Sequence, residues 1–317
     1  MSKFVIGMLL AACTHTVSMA SEAYPEKPVK IVHVSTPGSG ADNVARILAD
    51  ELRDSLGGSF VVEGKPGALG QIGTDFVARS APDGYTLMIT SSGTHSAGPW
   101  LSKKSPYDAV TDFAHIARVV TVPFLAVAGS DAPTTVKEFV AYAKKNPGFS
   151  YGYGSATAQV AAASLLKTLG VDAIGVGYKG QSQAVLDLMG GRIHFMMVDP
   201  SVVAANLKAG KLRALATTST KRLPLLPEVP TFREAGMPEL DVQVWMGVGA
   251  PAATPAPVLQ KINAALQRAL QTPRARQQLE AQGFEVDPNA LTEQAAFVRR
   301  QYDAWGRSIR AAGVEPQ

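Results

Sequence analysis

From residue 29 onward, short apolar runs alternate with segments whose apolar residues recur every three or four positions, and Gly- and Pro-containing turns separate the two. That alternation predicts strands joined by helices, an α/β fold of mixed, mostly parallel sheets with flanking helices. Residues 29–34 read as the first strand. The helix after it has Val44, Ile47, Leu48, Leu52 and Leu56 on one face, and Gly57 and Gly58 stop it. Residues 60–63 are a second strand, the Gly-rich tract 64–73 a loop, and residues 74–79 a short helix halted at Ala81-Pro82-Asp83-Gly84. Residues 85–90 make a third strand. Units of this kind place three small-residue loops along one edge of a sheet, where open α/β sheets bind their ligands.

A second unit begins after the apolar stretch 113–127. Thr135 and Glu138 have the spacing of a capping box, at the head of a helix that packs Val136, Phe139, Val140 and Ala143 and ends at Asn146-Pro147-Gly148. A loop over residues 151–157, a helix to about residue 169 and a strand near residues 174–176 come next. Tyr178-Lys179-Gly180 opens a further helix. Residues 193–198 are almost wholly apolar, as in a strand covered on both faces, and residues 212–216 give one more strand. Residues 242–250 read as a strand that returns the chain to the first unit. Two helices close it, one aligning Val258, Leu259, Ile262, Leu266 and Leu270, the other Val298, Tyr302, Trp305 and Ile309. Aromatic residues at helical spacing read as core rather than as a binding site. The expected organisation is a discontinuous first domain, residues 24–125 with 245–317, a second domain, residues 126–244, and a cleft between them.

Residues 1–23 place one Lys before an apolar run from Phe4 to Ala12 and then small residues, the pattern of a secretory signal. A small-x-small cleavage site ends at Ala20 or Ala23. The competing site, Leu10-Ala11-Ala12-Cys13, would leave Cys13 as a lipidated first residue, a lipid anchor for a periplasmic protein. Simple release is the favoured reading, because the tract before Cys13 is short for a lipoprotein leader. Cys13 is the only cysteine, so disulfides, thiol catalysis and Cys-based metal sites are excluded from residues 24–317. A net charge of +4, scattered without a basic stripe, gives no nucleic-acid footprint.

The first strand runs into a loop of small residues, Ser35-Thr36-Pro37-Gly38-Ser39-Gly40, with Asp42 or Asn43 placed to cap the following helix. Such a loop cradles an anion through helix N-terminal N–H groups. A dinucleotide reading takes Gly38 and Gly40 as phosphate glycines and Glu63 as the ribose-binding acid. Asn43 stands where the third glycine belongs, however, and a secreted chain has little access to such a cofactor. Nucleophile-elbow, zinc-protease and phosphate-loop motifs are all missing, and His33, His95, His115 and His194 lie apart in sequence. These read as single hydrogen-bonded histidines, with His95 the exception, because Ser91-Ser92-Gly93-Thr94-His95-Ser96 follows the third strand and could face the cleft. What remains is a set of loops rich in N–H and hydroxyl groups: Ser35, Thr36, Gly38, Ser39 and Gly40; Thr94 and His95; Gly154, Ser155, Ala156 and Thr157. Any one of them reads equally well as a tight turn. Together they suit a small carboxylate gripped from two sides, with no cofactor and no metal.

The tracts 187–195, 208–216, 218–222 and 226–236 closely resemble those of the Bug-type (TctC-like) solute receptors of tripartite tricarboxylate transporters. Tyr24-Pro25 with Lys27-Pro28, the Gly-rich tract 67–73, residues 81–85, Asp112-Phe113 and Ala250-Pro251 extend the resemblance over nearly the whole chain after the leader. It implies a two-domain periplasmic binding protein of the type II-like, Venus-flytrap class. Such a protein, expected to be a monomer, would bind a di- or tricarboxylate or an aromatic carboxylate and deliver it to membrane permease subunits. It also implies that loop 35–42 and residues 154–157 hold the ligand, and that Asp199 lines the cleft. Two departures fall on these loops. Where family members commonly read Pro-Phe-x-Pro-Gly-Gly, this chain has Val34-Ser35-Thr36-Pro37-Gly38-Ser39, so the Phe is lost while Ser35 and Thr36 add donors, and Tyr153 brings a bulky ring to a second loop one residue shorter than usual. Alternatives left open are a receptor that signals to a sensor protein and a nucleotide-dependent enzyme using Gly38 and Gly40.

Overall fold

The computed structural model describes residues 24–237 and 244–316. The expected leader with Cys13, and residues 242–243 of the expected return strand, lie outside them.

The first apolar run forms β1 (Val29–His33), and the amphipathic segment after it forms α1 (Gly40–Leu56). Ser39, rather than Asp42 or Asn43, caps α1: its Oγ accepts the Asp42 N–H at 3.3 Å. Val44, Leu48 and Leu52 are fully buried, and Gly57, at φ 72°, ends the helix. Then come β2 (Phe60–Gly64), a tight turn Ala68–Gly70, α2 (Gln71–Ala78) and β3 (Thr86–Ser91). A wide π-type turn, Gly93–Ala97, leads into α3 (Gly98–Leu101). The run 113–127 is not one strand. Its polar break at Thr121 and the proline at 123 divide it into β4 (Phe113–Thr121) and β5 (Leu125–Gly129), which belong to different sheets.

In the second half, the Thr135–Glu138 pair caps α4 (Val136–Lys144) as expected, with Thr135 Oγ1 accepting the Glu138 N–H and donating to its carboxylate. Residues 150–153, read partly as loop, are a strand, β6 (Ser150–Tyr153). Next are α5 (Ala156–Thr168), β7 (Ile174–Gly177), α6 (Gln181–Met189), β8 (Phe195–Val198), α7 (Pro200–Lys208) and β9 (Leu212–Thr217). The chain closes with β10 (Trp245–Pro251), α8 (Ala256–Ala269), α9 (Pro273–Glu280), β11 (Glu285–Val286) and α10 (Leu291–Ala312). Helices α7 and α9 are short and Pro-headed, and their periodicity is too brief to be read from sequence.

The first sheet has the order β11-β4-β10-β3-β1-β2 and the second β7-β6-β8-β5-β9. β1 runs parallel to β2 and β3, and β6 to β7 and β8. β10 enters the middle of the first sheet antiparallel to both neighbours, and β5 does the same in the second. Antiparallel pairs are therefore at least as frequent as parallel ones, a correction to the mostly parallel expectation. Apolar patterning reports burial, which is the same for either strand direction. β10 fits between its neighbours through Gly247 and Gly249: a Cβ at Gly247 would stand 2.4 Å from the Ala117 carbonyl oxygen.

The chain passes from the first sheet to the second between β4 and β5 and returns between β9 and β10. Val122 N–H donates to Val244 O at 2.7 Å, tying the two passages together. Apolar packing also crosses between the sheets, because Ala156 and Val160 of α5 share a cluster with Ala97, Leu101, Trp305 and Ile309.

Candidate functional site

Parallel pairing of β1, β2 and β3 brings the ends of all three strands to one edge of the first sheet. Loop 35–40 sits at its centre. Gly38, at φ 77°, makes the turn, and its N–H donates 2.8 Å to Asp42 Oδ2. The Asp42 carboxylate is buried, with Oδ1 3.2 Å from His33 Nε2 and 3.1 Å from Arg46. Burial alone would raise its pKa, but the Gly38 N–H and the Arg46 guanidinium outweigh it and hold Asp42 below the ordinary carboxylate value. Burial lowers His33 in spite of the neighbouring Asp42. Ser35 and Ser39 are half-buried, Thr36 and Gly38 exposed, and Gly40 buried. The Gly38 N–H of this loop is thus already taken by the chain's own carboxylate.

The residues after β3 behave differently from expectation. Thr94 is buried, and its Oγ1 lies 2.8 Å from His95 Nδ1. His95 is 0% exposed and packs edge-on against Phe113 and His115, with ring centroids 4.6 and 5.5 Å away. The wide turn rotates residue 95 into the interior, so its ring does not face a cleft. Burial pushes its pKa well below the ordinary histidine value, aided by His115. His95 and His115, far apart in sequence, are neighbours in the fold. His194 is the plain structural histidine expected, with Nδ1 within 3.1 Å of Ser150 N.

A second edge is built the same way from β6, β7 and β8. Ser155 caps α5, its Oγ accepting the Ala158 N–H at 3.2 Å and lying 3.2 Å from Thr157 Oγ1. Helix α5 leaves the N–H groups of its first turn, at Ala156 and Thr157, without helical partners. Gly154 packs directly on the head of α6, where a Cβ would meet Gln181 N at 2.2 Å. Asp199 precedes α7 and pairs with Gln181 twice, receiving Nε2–H at Oδ2 and donating its own N–H to Oε1, each at 2.9 Å. Burial raises the Asp199 pKa to about 6, against the Gln181 bond that lowers it. The heads of three helices and one carboxyl group therefore converge at this edge, an arrangement that favours a bound anion when Asp199 is neutral.

Residues 283 and 284 bridge the two edges. Gly283 sits on Pro200, where a Cβ would come within 2.8 Å of the proline ring, and the adjacent Phe284 packs on Gly40. The head of α7 thereby connects to the head of α1. Gln181 gives no signal in the sequence, because its partner lies 18 residues away in another helix head. Tyr153, expected to crowd the second loop, instead covers the edge strand, its hydroxyl 3.2 Å from where a Cβ at Gly177 would stand. Glu63 is held by Lys65 at 2.6 Å and Lys30 at 3.4 Å, and Asn43 donates to Gln282. A cavity of about 210 Å³ lies at the passages between the sheets, beside Pro123, Ser219, Glu285 and Trp305, and none of the candidate residues lines it. Among the described residues, no group of three or more His, Cys, Asp or Glu side chains is placed to hold a metal ion.

Solved structures of similar chains share this architecture. The periplasmic binding protein BugD is 36% identical with a TM-score of 0.83, over 93% of this chain and 100% of that one. Rpa4515 of R. palustris, solved with adipate, is 30% identical with a TM-score of 0.87, over 93% and 100%. MatC of Rhodopseudomonas palustris, solved with malate, is 30% identical with a TM-score of 0.82, over 90% and 100%. The model of the tripartite tricarboxylate transporter family receptors (TctC) matches residues 44–314. With the match running from within α1 to the end of α10, over most of the chain, the chain belongs to the tripartite tricarboxylate transporter receptor family.

Proposed function

We propose that this chain is an extracytoplasmic receptor that holds a small organic carboxylate between two lobes and delivers it to the membrane subunits of a tripartite tricarboxylate transporter. The lobes are residues 24–125 with 245–317, and residues 126–244; the leader would direct the chain to the periplasm. What supports this reading is the convergence of the α5, α6 and α7 heads with Asp199, an edge bridged to the head of α1 by Gly283 and Phe284. N–H and hydroxyl donors at Ser35, Thr36, Ser155, Ala156 and Thr157 suit carboxylate oxygens. With its pKa near 6, Asp199 can share a proton with an acid ligand. The adipate and malate seen in two relatives make dicarboxylates of four to six carbons the first candidates. The nucleotide-enzyme alternative loses its support, since Glu63 is committed to two lysines and Asn43 to Gln282.

Mass spectrometry of solute released from protein purified without denaturation, followed by thermal-shift titration with adipate, malate and aromatic acids, tests the proposal. Saturation at about a hundred times Kd adds roughly 2.7 kcal/mol to stability, an easily seen rise in Tm. No retained acid and no shift with any carboxylate would overturn it.

A further inference from the structure

We infer that Asp42 is the positioning residue of the first ligand loop: its buried carboxylate, hydrogen-bonded to Gly38 and packed against His33, holds residues 35–40 in the shape that receives the solute. The inference rests on the receptor reading above and names a part of that site.

Three observations lead to it. First, Asp42 is not needed as the helix cap, because Ser39 Oγ already fills that place at the Asp42 N–H. The Asp42 side chain reaches back out of the helix instead, to the Gly38 N–H at 2.8 Å. Second, the carboxylate's other oxygen faces His33, the last residue of β1, with Nε2 3.2 Å away, a close contact without hydrogen-bond geometry. One side chain thus bonds the tip of the turn to the first turn of the helix and packs against the end of the strand. Third, both partners are almost completely buried, with side chains 3% and 4% exposed. A buried carboxylate is costly unless it is bonded, so removing its partners or its reach leaves the loop without its internal brace.

The arrangement has a consequence for recognition. With Gly38 N–H occupied, the solute is left the hydroxyls of Ser35 and Thr36 on this side, while Asp42 sets a negative charge beneath an anion site that Arg46 only partly offsets. Geometry and charge therefore act in opposite directions, and two substitutions separate them. Asp42→Asn keeps an oxygen for Gly38 N–H and removes the charge. Asp42→Ala removes both.

Calorimetric titration with adipate and with malate, on wild type, D42N and D42A at one pH, reads the effect on binding. The expected order is D42N equal to or tighter than wild type, and D42A at least tenfold weaker. Hydrogen exchange of the Gly38 amide in the ligand-free proteins reads the brace itself: slow in wild type and D42N, at least tenfold faster in D42A. If D42A does not fold, Asp42→Ser, whose hydroxyl is too short to span the turn, replaces it. D42A binding as tightly as D42N, or Gly38 exchanging equally slowly in both, overturns the inference. If wild type binds neither acid, that failure counts against the receptor's proposed ligands, and the exchange rates still decide the role of Asp42.

Discussion

Gln181 and Asp199 hold each other by two hydrogen bonds of 2.9 Å, which lock the heads of α6 and α7 together. The pKa of Asp199, raised from 3.8 to about 6 by burial, makes this edge sensitive to pH. Between those two values the native state keeps a proton that the unfolded chain has lost. The contribution of the neutral group to stability is full below 3.8 and is lost as pH rises through about 6. The difference in unfolding free energy between wild type and Asp199→Asn should therefore shift by on the order of 2–3 kcal/mol from pH 4 to pH 7. Wild type loses ground as pH rises. Urea denaturation of both proteins across that range tests the sign, and a difference independent of pH would refute it. Carboxylate affinity of wild type should fall over the same interval relative to that of Asp199→Asn, which shares the ligand's own titration but lacks that of residue 199.

Gly154 is a close-approach glycine. Its φ is not in the left-handed region, so an added methyl brings no backbone strain, only a collision with the Gly180–Gln181 peptide at 2.2 Å. Gly154→Ala should push the head of α6 away from α5 and loosen the Gln181–Asp199 pair. Overpacking of this kind costs about 1–3 kcal/mol. Thermal unfolding should report that loss together with weaker binding of whichever acid the receptor retains, and an unchanged Tm would show that the loop yields without cost.

Much of the scaffold is legible in the chain because its signals are local. The buried face of α1, the cap at Thr135 and the stop at Gly57 each depend on residues within one or two turns. Direction of β5 and β10 is not local. Both strands reverse because the chain has crossed between sheets, which apolar patterning does not record. The site divides along the same line. The turn at Gly38 follows from residue type and spacing, whereas the Asp42–His33 contact and the Gln181–Asp199 pair join separate elements. His95 fails as a cleft residue because a single wide turn, invisible to a 3.6-residue pattern, rotates it inward.

Leu69 sits in the turn before α2 with φ 52° and is 54% exposed. A side chain in the left-handed region costs roughly 1–2 kcal/mol, and so exposed a leucine recovers little of that through burial. Glycine removes the strain and adds roughly 0.5–1 kcal/mol of unfolded-state entropy cost. Leu69→Gly should therefore raise stability slightly, by up to ~1 kcal/mol. A higher urea midpoint with an unchanged m-value is the expected result; a lower midpoint would mean that Leu69 contributes a contact its exposure does not reveal.

Ser155 has two tasks that a pair of substitutions can separate. Its Oγ caps α5 at the Ala158 N–H, so Ser155→Ala should cost about 1 kcal/mol of stability, as loss of a serine cap does. Under the receptor reading the same hydroxyl, 3.2 Å from Thr157 Oγ1, also helps to place donors toward the solute. Ser155→Asp keeps a cap, since a carboxylate accepts the same N–H and favours the helix head. It also sets a negative charge where the ligand carboxylate would lie. Stability of Ser155→Asp should stay near wild type while carboxylate affinity drops by more than tenfold, about 1.4 kcal/mol or more. Ser155→Ala should show the reverse balance, with the larger share of its effect in Tm. Binding retained by Ser155→Asp would move the anion site away from the head of α5, whatever happens at loop 35–40.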